Sequence, residues 1–346
     1  MRRLLLLICW CCCDGKAVPL DARAVDQRDP GRDTVADVSL GPDGVAPRDT
    51  RVGDARVFPV GIVESCQIPP VPLDSALNLA LDVEYAAPGG EPQLLDVAWP
   101  KTKGPHPLVV FIHGGGWTSG DKKTFAQDIR RLAGIGYTSA TLDYRLASDG
   151  KNLFPAQVQD VRCAVRWLRA HAATYELDPQ RVAVIGGSAG GHLTEMLATA
   201  SDVAGLDDGG CSAAAQAVEI SAAVPLYGPS DLRAGGGTWS AWAEGKLEQL
   251  LGGAPADVPA LAALASPIVH VTAGDPPMLL IHGVIDQVVP VSQSRDMKKA
   301  LDKAGVPAML VELPLAGHAF PVFGVLPAYQ RHACTTLAFL KAVLNP

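Results

Sequence analysis

The segment Gly186–Gly190 has the residue types and spacing of a nucleophile elbow, G-x-S-x-G, with Ser188 at its centre. The apolar run Val182–Ile185 precedes it and predicts a strand, and a helix is expected to begin near His192. Glycines on both sides of the serine allow a sharp turn that exposes the hydroxyl at the start of the helix. Ser188 is therefore predicted to be a catalytic nucleophile. For this segment alone, a structural or phosphate-binding glycine turn is the alternative.

A second glycine cluster, His113–Trp117, follows another predicted strand and contains three consecutive glycines. Attack of a serine on a carbonyl group builds negative charge on the carbonyl oxygen, and backbone N–H groups stabilise that charge where side chains leave room. The amides of Gly115 and Gly116, with that of Ala189 after the nucleophile, are therefore predicted to form an oxyanion hole. His113 is interpreted as a support for this loop rather than as a base.

A serine nucleophile needs a base to take its proton and a carboxylate to orient that base. Downstream of Ser188, Asp286 lies in a loop after one predicted strand, and His318 lies in a loop after the next. The order serine, aspartate, histidine, each at the carboxyl end of a strand, predicts a catalytic triad. Activity is then expected to fall below about pH 6, where a histidine base is protonated. Five competing side chains are interpreted as structural: His192, His282, His332, Asp143 and Asp160.

Short β-branched or leucine-rich runs alternate with longer amphipathic segments from about Gln93 onward. This rhythm predicts an α/β fold, with a mostly parallel central sheet and helices on both faces. The Trp239–Leu251 segment interrupts the rhythm and is interpreted as an insertion over the sheet's carboxyl edge, where it could cover a site. The predicted strands are Leu94–Trp99, Leu108–Ile112, Thr138–Leu142, Val182–Ile185, Ser221–Leu226, Met278–Ile281 and Ala308–Leu313. The clearest predicted helices are Pro155–Ala173, with Pro155 in its first turn, Lys298–Lys303 and Gln330–Leu344.

Motifs that carry a family resemblance are spread along the chain; they include His113–Trp117, Asp143–Leu146, Phe154–Ala156, Gly187–Leu193, His282–Asp286 and Gly317–His318. Together they resemble the α/β-hydrolase esterases related to hormone-sensitive lipase, most of all the subgroup with bifunctional feruloyl and acetyl-xylan esterases. The resemblance runs from about Gln93 to Leu344. It implies an α/β-hydrolase fold and a serine carboxylesterase that acts on short acyl esters without a metal or organic cofactor. Two residues depart from the pattern: Val284 stands where the family often has an acid, and Glu195 lies in a helical stretch that is usually apolar.

The N-terminal residues differ in composition from the rest. Arg2 and Arg3 precede the apolar block Leu4–Trp10, which is the layout of a signal peptide, predicted over residues 1–13. Its cysteines also fit a lipoprotein signal, which would leave a lipid anchor; a buried apolar strand is the alternative. Residues 14–57 carry nine Asp, seven Lys or Arg, several Pro and Gly and no aromatic residue, which predicts a disordered tether. A catalytic domain is predicted over residues 58–346, in an exported protein that is secreted, periplasmic or lipid-anchored.

Composition limits the partners of the 346-residue chain. With a formal charge of -7, it has no basic excess of the kind that phosphate backbones attract, so nucleic acid is not expected as a partner. No apolar run reaches the roughly 18 residues of a membrane span. An ester, either a small molecule or one linked to plant polysaccharide, is the expected substrate. The alternatives are an arylformamidase or another amide or ester hydrolase of the same fold, and a non-catalytic hydrolase-like binding module.

Four cysteines lie beyond the predicted signal: Cys66, Cys163, Cys211 and Cys334. An even number in an exported protein permits one or two disulfides, and three pairings of all four are open. Buried free thiols are the equal alternative, because none of the four has the spacing of a zinc site.

Overall fold

The computed structural model describes residues 58–207 and 211–345, so the predicted signal (1–13) and tether (14–57) lie outside the described residues. Within them, eight strands form one sheet: β1 Leu77–Ala86, β2 Gln93–Pro100, β3 His106–Ile112, β4 Thr138–Leu142, β5 Leu177–Gly187, β6 Ala222–Leu226, β7 Met278–Gly283 and β8 Ala308–Leu313. Their order across the sheet is β1-β2-β4-β3-β5-β6-β7-β8. Only β1-β2 and β2-β4 pair antiparallel in this sheet, and the other pairs are parallel. The predicted mostly parallel α/β sheet is therefore confirmed.

Helices cover both faces of the sheet because its central strands are apolar on both sides. The α-helices of the described residues are α1 Ala126–Ala133, α2 Ala156–Ala170, α3 Ala189–Thr199, α4 Ala241–Leu251, α5 Pro259–Leu264, α6 Ser292–Ala304 and α7 Pro327–Leu344. In β3, Leu108, Val110 and Ile112 join one apolar cluster with residues of α2, α3 and α6, while Val109 and Phe111 join the other with residues of α1 and α7. None of these helices is both long enough and apolar enough to cross a membrane.

Several predicted boundaries were wrong. α3 begins directly at Ala189 rather than near His192, because the turn at Ser188 is so tight that no loop separates strand from helix. Pro155 precedes α2 with non-helical φ and ψ of -99° and 20°, so it does not lie in the first turn. β5 begins at Leu177 rather than Val182, because its first residues pair with the start of β3 before a register shift. α6 is more than twice as long as predicted.

The sequence reasoning also missed the strand β1 and the helices α1 and α5. β1 is an edge strand with mostly half-buried or exposed residues, so it lacks the continuous apolar run of a central strand. α1 has eight residues and α5 six, too few to show helical periodicity. The insertion predicted at Trp239–Leu251 contains α4.

Both disulfides form, which settles a pairing that the sequence leaves open. Cys66 bonds to Cys334 and ties the segment before β1 to α7. Cys163, in α2, bonds to Cys211 and closes a loop with a sequence separation of 48 residues. The interpretation as free thiols was therefore wrong.

Candidate active site

Ser188 lies in the turn between β5 and α3, with φ of 57° and ψ of -121°. This left-handed conformation is uncommon for a residue with a Cβ atom. It is locally strained and is maintained by the packing around the turn. The small residues around the turn allow close packing: a Cβ atom at Gly190 would lie 2.0 Å from the carbonyl oxygen of Ile112 at the end of β3. The half-buried serine side chain is thereby placed at the carboxyl edge of the sheet, as the elbow motif predicts.

The loop after β3 lies beside this turn. Gly115 has φ of 112°, and a Cβ atom there would lie 2.1 Å from the carbonyl oxygen of Ser119, so only glycine fits. Among the described residues, the amides of Gly115 and Gly116 donate no hydrogen bond to another group. Ala189 is the first residue of α3, where helical amides have no partner within the helix. The three predicted oxyanion donors therefore have N–H groups that can serve a ligand.

His113 supports this loop. Its Nδ1 lies 2.7 Å from the carbonyl oxygen of Gly114, and its ring stacks on Tyr144 with centroids 4.2 Å apart. The Tyr144 hydroxyl donates back to the His113 carbonyl oxygen at 3.0 Å. Burial lowers the pKa of His113, so the ring is neutral near pH 7.

The loops after β7 and β8 bring the acid and the base to Ser188. His318 Nε2 lies 2.9 Å from Ser188 Oγ, and His318 Nδ1 lies 2.7 Å from Asp286 Oδ2. The three residues are separated by 130 and 32 positions in the sequence and meet because parallel strands end at one edge of the sheet. The structure thus places all three predicted triad residues in one hydrogen-bonded chain, with the geometry that lets the histidine take the serine proton.

The Asp286 carboxylate is fully buried and held on both oxygens. Its Oδ1 accepts from the backbone amides of Val288 at 2.8 Å and Val289 at 3.0 Å. Burial by itself would raise the pKa of Asp286, but the imidazole N–H groups of His282 and His318, together with the Val288 amide, hold that pKa well below its ordinary value. Asp286 is therefore ionised at neutral pH, and it can orient His318.

The competing residues interpreted as structural lie apart from Ser188 Oγ and have partners of their own. His192 contacts the Trp117 indole N–H and the Ala265 carbonyl oxygen, and burial lowers its pKa to about 4. His332 Nε2 lies 2.8 Å from the Pro321 carbonyl oxygen. Asp143 accepts from the Lys122 amide and Asp160 from Arg145. His282 is different, because its Nε2 lies 3.4 Å from Asp286 Oδ2, a contact that sequence reasoning missed.

The two departures from the family pattern have different consequences. The Val284 amide donates to the Leu313 carbonyl oxygen at 3.0 Å, so the backbone holds this loop without an acid at that position. Glu195, in α3, is fully buried, and neither of its carboxyl oxygens has a hydrogen-bond partner among the described residues. Burial raises the pKa of Glu195 to about 8, so the side chain is protonated at pH 7.

Two spaces open from Ser188, and α4 borders both. The first is an apolar cavity of about 20 Å³, lined by Gly116, Trp117, Ser188, Pro229, Trp239, Trp242, Ala243, Lys246, Leu247, Val288 and Val289. The second is an open groove of about 350 Å³, lined by Gly114, Gly115, Ser119, Gly120, Thr124, Phe125, Gly187, Ser188, Tyr227, Trp242, His318 and Ala319. Lys246 connects α4 to the oxyanion loop, because its Nζ donates to Thr118 Oγ1 at 2.7 Å. In the sequence, only the inserted segment Trp239–Leu251 indicated the residues that line these two spaces.

A larger groove of about 610 Å³ lies against the Cys66–Cys334 disulfide. It is lined by residues such as Val63, Ile135 and Tyr137 and by none of the predicted site residues. It also lacks a hydrogen-bonded nucleophile and base, so the smaller spaces at Ser188 make the better candidate active site.

A family model described as BD-FAE matches residues 95–301, which is more than half of the chain. The chain belongs to the BD-FAE family. The match confirms the predicted resemblance to the α/β-hydrolase esterases related to hormone-sensitive lipase, and it includes Ser188, the oxyanion loop and Asp286.

Individual relatives agree with this family. Esterase LipQ of Mycobacterium tuberculosis is 32% identical over 244 residues, which cover 69% of this chain and 56% of LipQ. Esterase LipC of the same organism is 34% identical, over 67% of this chain and 58% of LipC. The chain therefore spans little more than half the length of these relatives.

Two solved structures are similar in fold. A truncated carbohydrate esterase from gut microbiota superposes with a TM-score of 0.68 at 25% identity, covering 80% of this chain and 100% of that chain. Esterase 2 of Thermogutta terrifontis, phosphonylated by sarin, superposes with a TM-score of 0.67 at 29% identity, covering 80% of this chain and 98% of that chain. These likenesses confirm the α/β-hydrolase fold.

Proposed function

We propose that the protein is a serine carboxylic ester hydrolase. The observation that carries this proposal is the hydrogen-bonded chain from Ser188 Oγ through His318 to Asp286, with distances of 2.9 and 2.7 Å, beside the oxyanion amides. The esterase names of LipQ and LipC support the same activity.

The geometry supports an acyl-enzyme mechanism in two steps. Ser188 Oγ attacks the ester carbonyl while His318 Nε2 takes its proton, and the amides of Gly115, Gly116 and Ala189 stabilise the oxyanion. His318 then gives the proton to the leaving alcohol oxygen as the ester C–O bond breaks. In the second step His318 takes a proton from water, the resulting hydroxide attacks the acyl carbon, and Ser188 recovers its proton as the acid leaves.

The position of His318 distinguishes the acyl side from the alcohol side. The leaving oxygen must be within reach of His318 Nε2, so the alcohol belongs in the open groove that His318 lines. The acyl group then belongs in the narrow apolar cavity of about 20 Å³, which has room for one small group such as a methyl. An acetyl ester fits this division, whereas a feruloyl group, with its phenolic ring, does not. We therefore favour acetyl over feruloyl esters as substrates.

The alcohol side suits a sugar. Trp242 lines the open groove and is 54% exposed, so its indole presents a large flat apolar surface beside the reacting atoms. The groove is open to solvent and can accept an alcohol that is part of a longer polymer. The likeness to a protein described as a carbohydrate esterase supports this choice. We propose acetylated polysaccharide, xylan included, as the substrate class.

Hydrolysis of p-nitrophenyl esters from acetate to octanoate, alongside acetylated xylan and methyl ferulate, tests these proposals. We expect acetate to be the best acyl group, acetate release from xylan, and no release of ferulate. Ser188→Ala is the control and should lose activity by about three orders of magnitude or more. Activity that survives in Ser188→Ala, or no activity in the wild type, would refute the esterase. Cleavage of methyl ferulate would refute the assignment of the acyl cavity.

We also propose that the protein is exported. The two disulfides support this, because such bonds persist in oxidising compartments. Mass spectrometry of the mature N-terminus tests the proposal and separates its forms. A cleaved N-terminus supports secretion, a diacylglycerol-modified cysteine supports a lipid anchor, and an intact Met1 in the cytosol would refute export.

A further inference from the structure

A second imidazole reaches the carboxylate that orients His318. His282, in β7, is fully buried, and its Nε2 lies 2.9 Å from the Val289 carbonyl oxygen and 3.4 Å from Asp286 Oδ2. Its Nδ1 lies 2.7 Å from the Ser294 hydroxyl, in α6. Because a carbonyl oxygen only accepts, Nε2 carries a proton. The hydrogen-bond network therefore gives His282 an Nε2–H that points between Val289 and Asp286.

With this N–H, each carboxylate oxygen of Asp286 has two N–H neighbours, although the contact of His282 with Oδ2, at 3.4 Å, is the longest of the four. Oδ1 accepts from two backbone amides, of Val288 and Val289. Oδ2 accepts from His318 Nδ1 and faces the N–H of His282. Ser294 is 1% exposed, so this second serine–histidine–aspartate arrangement has no access to substrate and is not a second active site.

We propose that His282 is a positioning residue for the triad, whose Nε2–H holds the Asp286 carboxylate in place and limits how strongly Asp286 binds the protonated form of His318. This inference rests on the proposed esterase mechanism. A carboxylate that binds the imidazolium too tightly would keep His318 protonated at higher pH, and a protonated His318 cannot accept the serine proton. The N–H of His282 shares the charge of Oδ2 and so keeps the base available.

Other charged and titratable groups face this cluster. Tyr227, after β6, packs edge-on against His318 with centroids 4.8 Å apart, and burial raises its pKa, so it stays neutral. Glu312, in β8, interacts with His282 but is paired at 2.7 Å with Arg295 of α6. Neither supplies an N–H to Asp286 Oδ2, so a change in His282 acts on the carboxylate directly.

Two substitutions separate the donor from the bulk of the ring. His282→Gln can place an amide N–H near the position of Nε2, whereas His282→Asn reaches only the position of Nδ1, beside Ser294. We expect the acid limb of the kcat/KM profile on p-nitrophenyl acetate to move to higher pH by about half a unit in His282→Asn, as the loss of one hydrogen bond would cause. In His282→Gln we expect the limb to stay at the wild-type position. The proposal would be overturned if both variants lost activity while the acid limb of the pH profile stayed in place. It would also be overturned if the acid limb moved by the same amount in both variants.

A second measurement is independent of ester hydrolysis and of how the variants fold. The ¹⁵N chemical shifts of His282 in the wild-type protein report which ring nitrogens carry protons, and a proton on Nε2 is expected between pH 6 and 9. A ring whose single proton lies on Nδ1 would overturn the proposal. If the wild-type protein hydrolyses no ester, the proposed function fails, while this measurement still decides the state of His282.

Discussion

The small size of the acyl cavity predicts that Leu247→Ala lengthens the preferred acyl chain. Leu247 lies in α4, is 2% exposed and lines the cavity of about 20 Å³. The substitution removes three carbon atoms from the wall, which makes room for an acyl chain longer by about two methylene groups. Burial of each methylene is worth about 0.8 kcal/mol, so butyrate should gain roughly 15-fold in kcat/KM relative to acetate.

The assay is the ratio of kcat/KM for p-nitrophenyl butyrate to that for p-nitrophenyl acetate, measured in wild type and variant. Leu250→Ala is the matched control, because Leu250 is a fully buried leucine of the same helix but does not line the cavity. Both substitutions should lower the free energy of unfolding by about 2 to 5 kcal/mol, the usual cost of a leucine-to-alanine cavity. Only Leu247→Ala should change the ratio.

Two results would refute this reasoning. A ratio that changes by less than about twofold in Leu247→Ala would mean that the acyl chain does not enter this cavity. An equal change in Leu250→Ala would mean that general loosening of α4, rather than room beside Ser188, sets the preference.

Three further predictions follow from other features. Burial raises the pKa of Glu195 to about 8 in the folded state, above its unfolded value, so the free energy of unfolding should fall by up to about 5 kcal/mol as pH rises from about 4.5 to 8. Glu195→Gln should abolish this fall, measured by urea unfolding, and a pH dependence that is unchanged in the variant would contradict the prediction. Cys163→Ala/Cys211→Ala opens a loop of 48 residues and should lower the free energy of unfolding by about 4 kcal/mol; an unchanged denaturant midpoint would argue against it. If the exposed indole of Trp242 binds a sugar ring, Trp242→Ala should lower kcat/KM about tenfold more on acetylated xylan than on p-nitrophenyl acetate. Equal losses on the two substrates would exclude that role.

Local sequence patterns were sufficient to predict the central strands of the sheet and the loops that carry the candidate site. The strand before Ser188, the glycines of the oxyanion loop and the positions of Asp286 and His318 after β7 and β8 are all encoded within short segments, because an apolar run, a tight turn and a chain direction are local properties. Parallel pairing then places the ends of these strands at one edge, so residues far apart in sequence converge without any further specification.

Other features of the protein depend on how segments pack in three dimensions, and only the tertiary structure determines them. The pairing of Cys66 with Cys334 requires the start of the domain to meet α7, and no local pattern encodes that meeting. The same holds for the size of the acyl cavity, which α4 sets by closing over the sheet, and for the burial of Glu195. Sequence reasoning treated His282 as structural because a lone histidine carries no sign of its partner. Asp286 is only four positions away in the sequence, but the contact forms only when the loop after β7 folds back on the strand. Packing, rather than residue type, decides which side chain faces a buried charge.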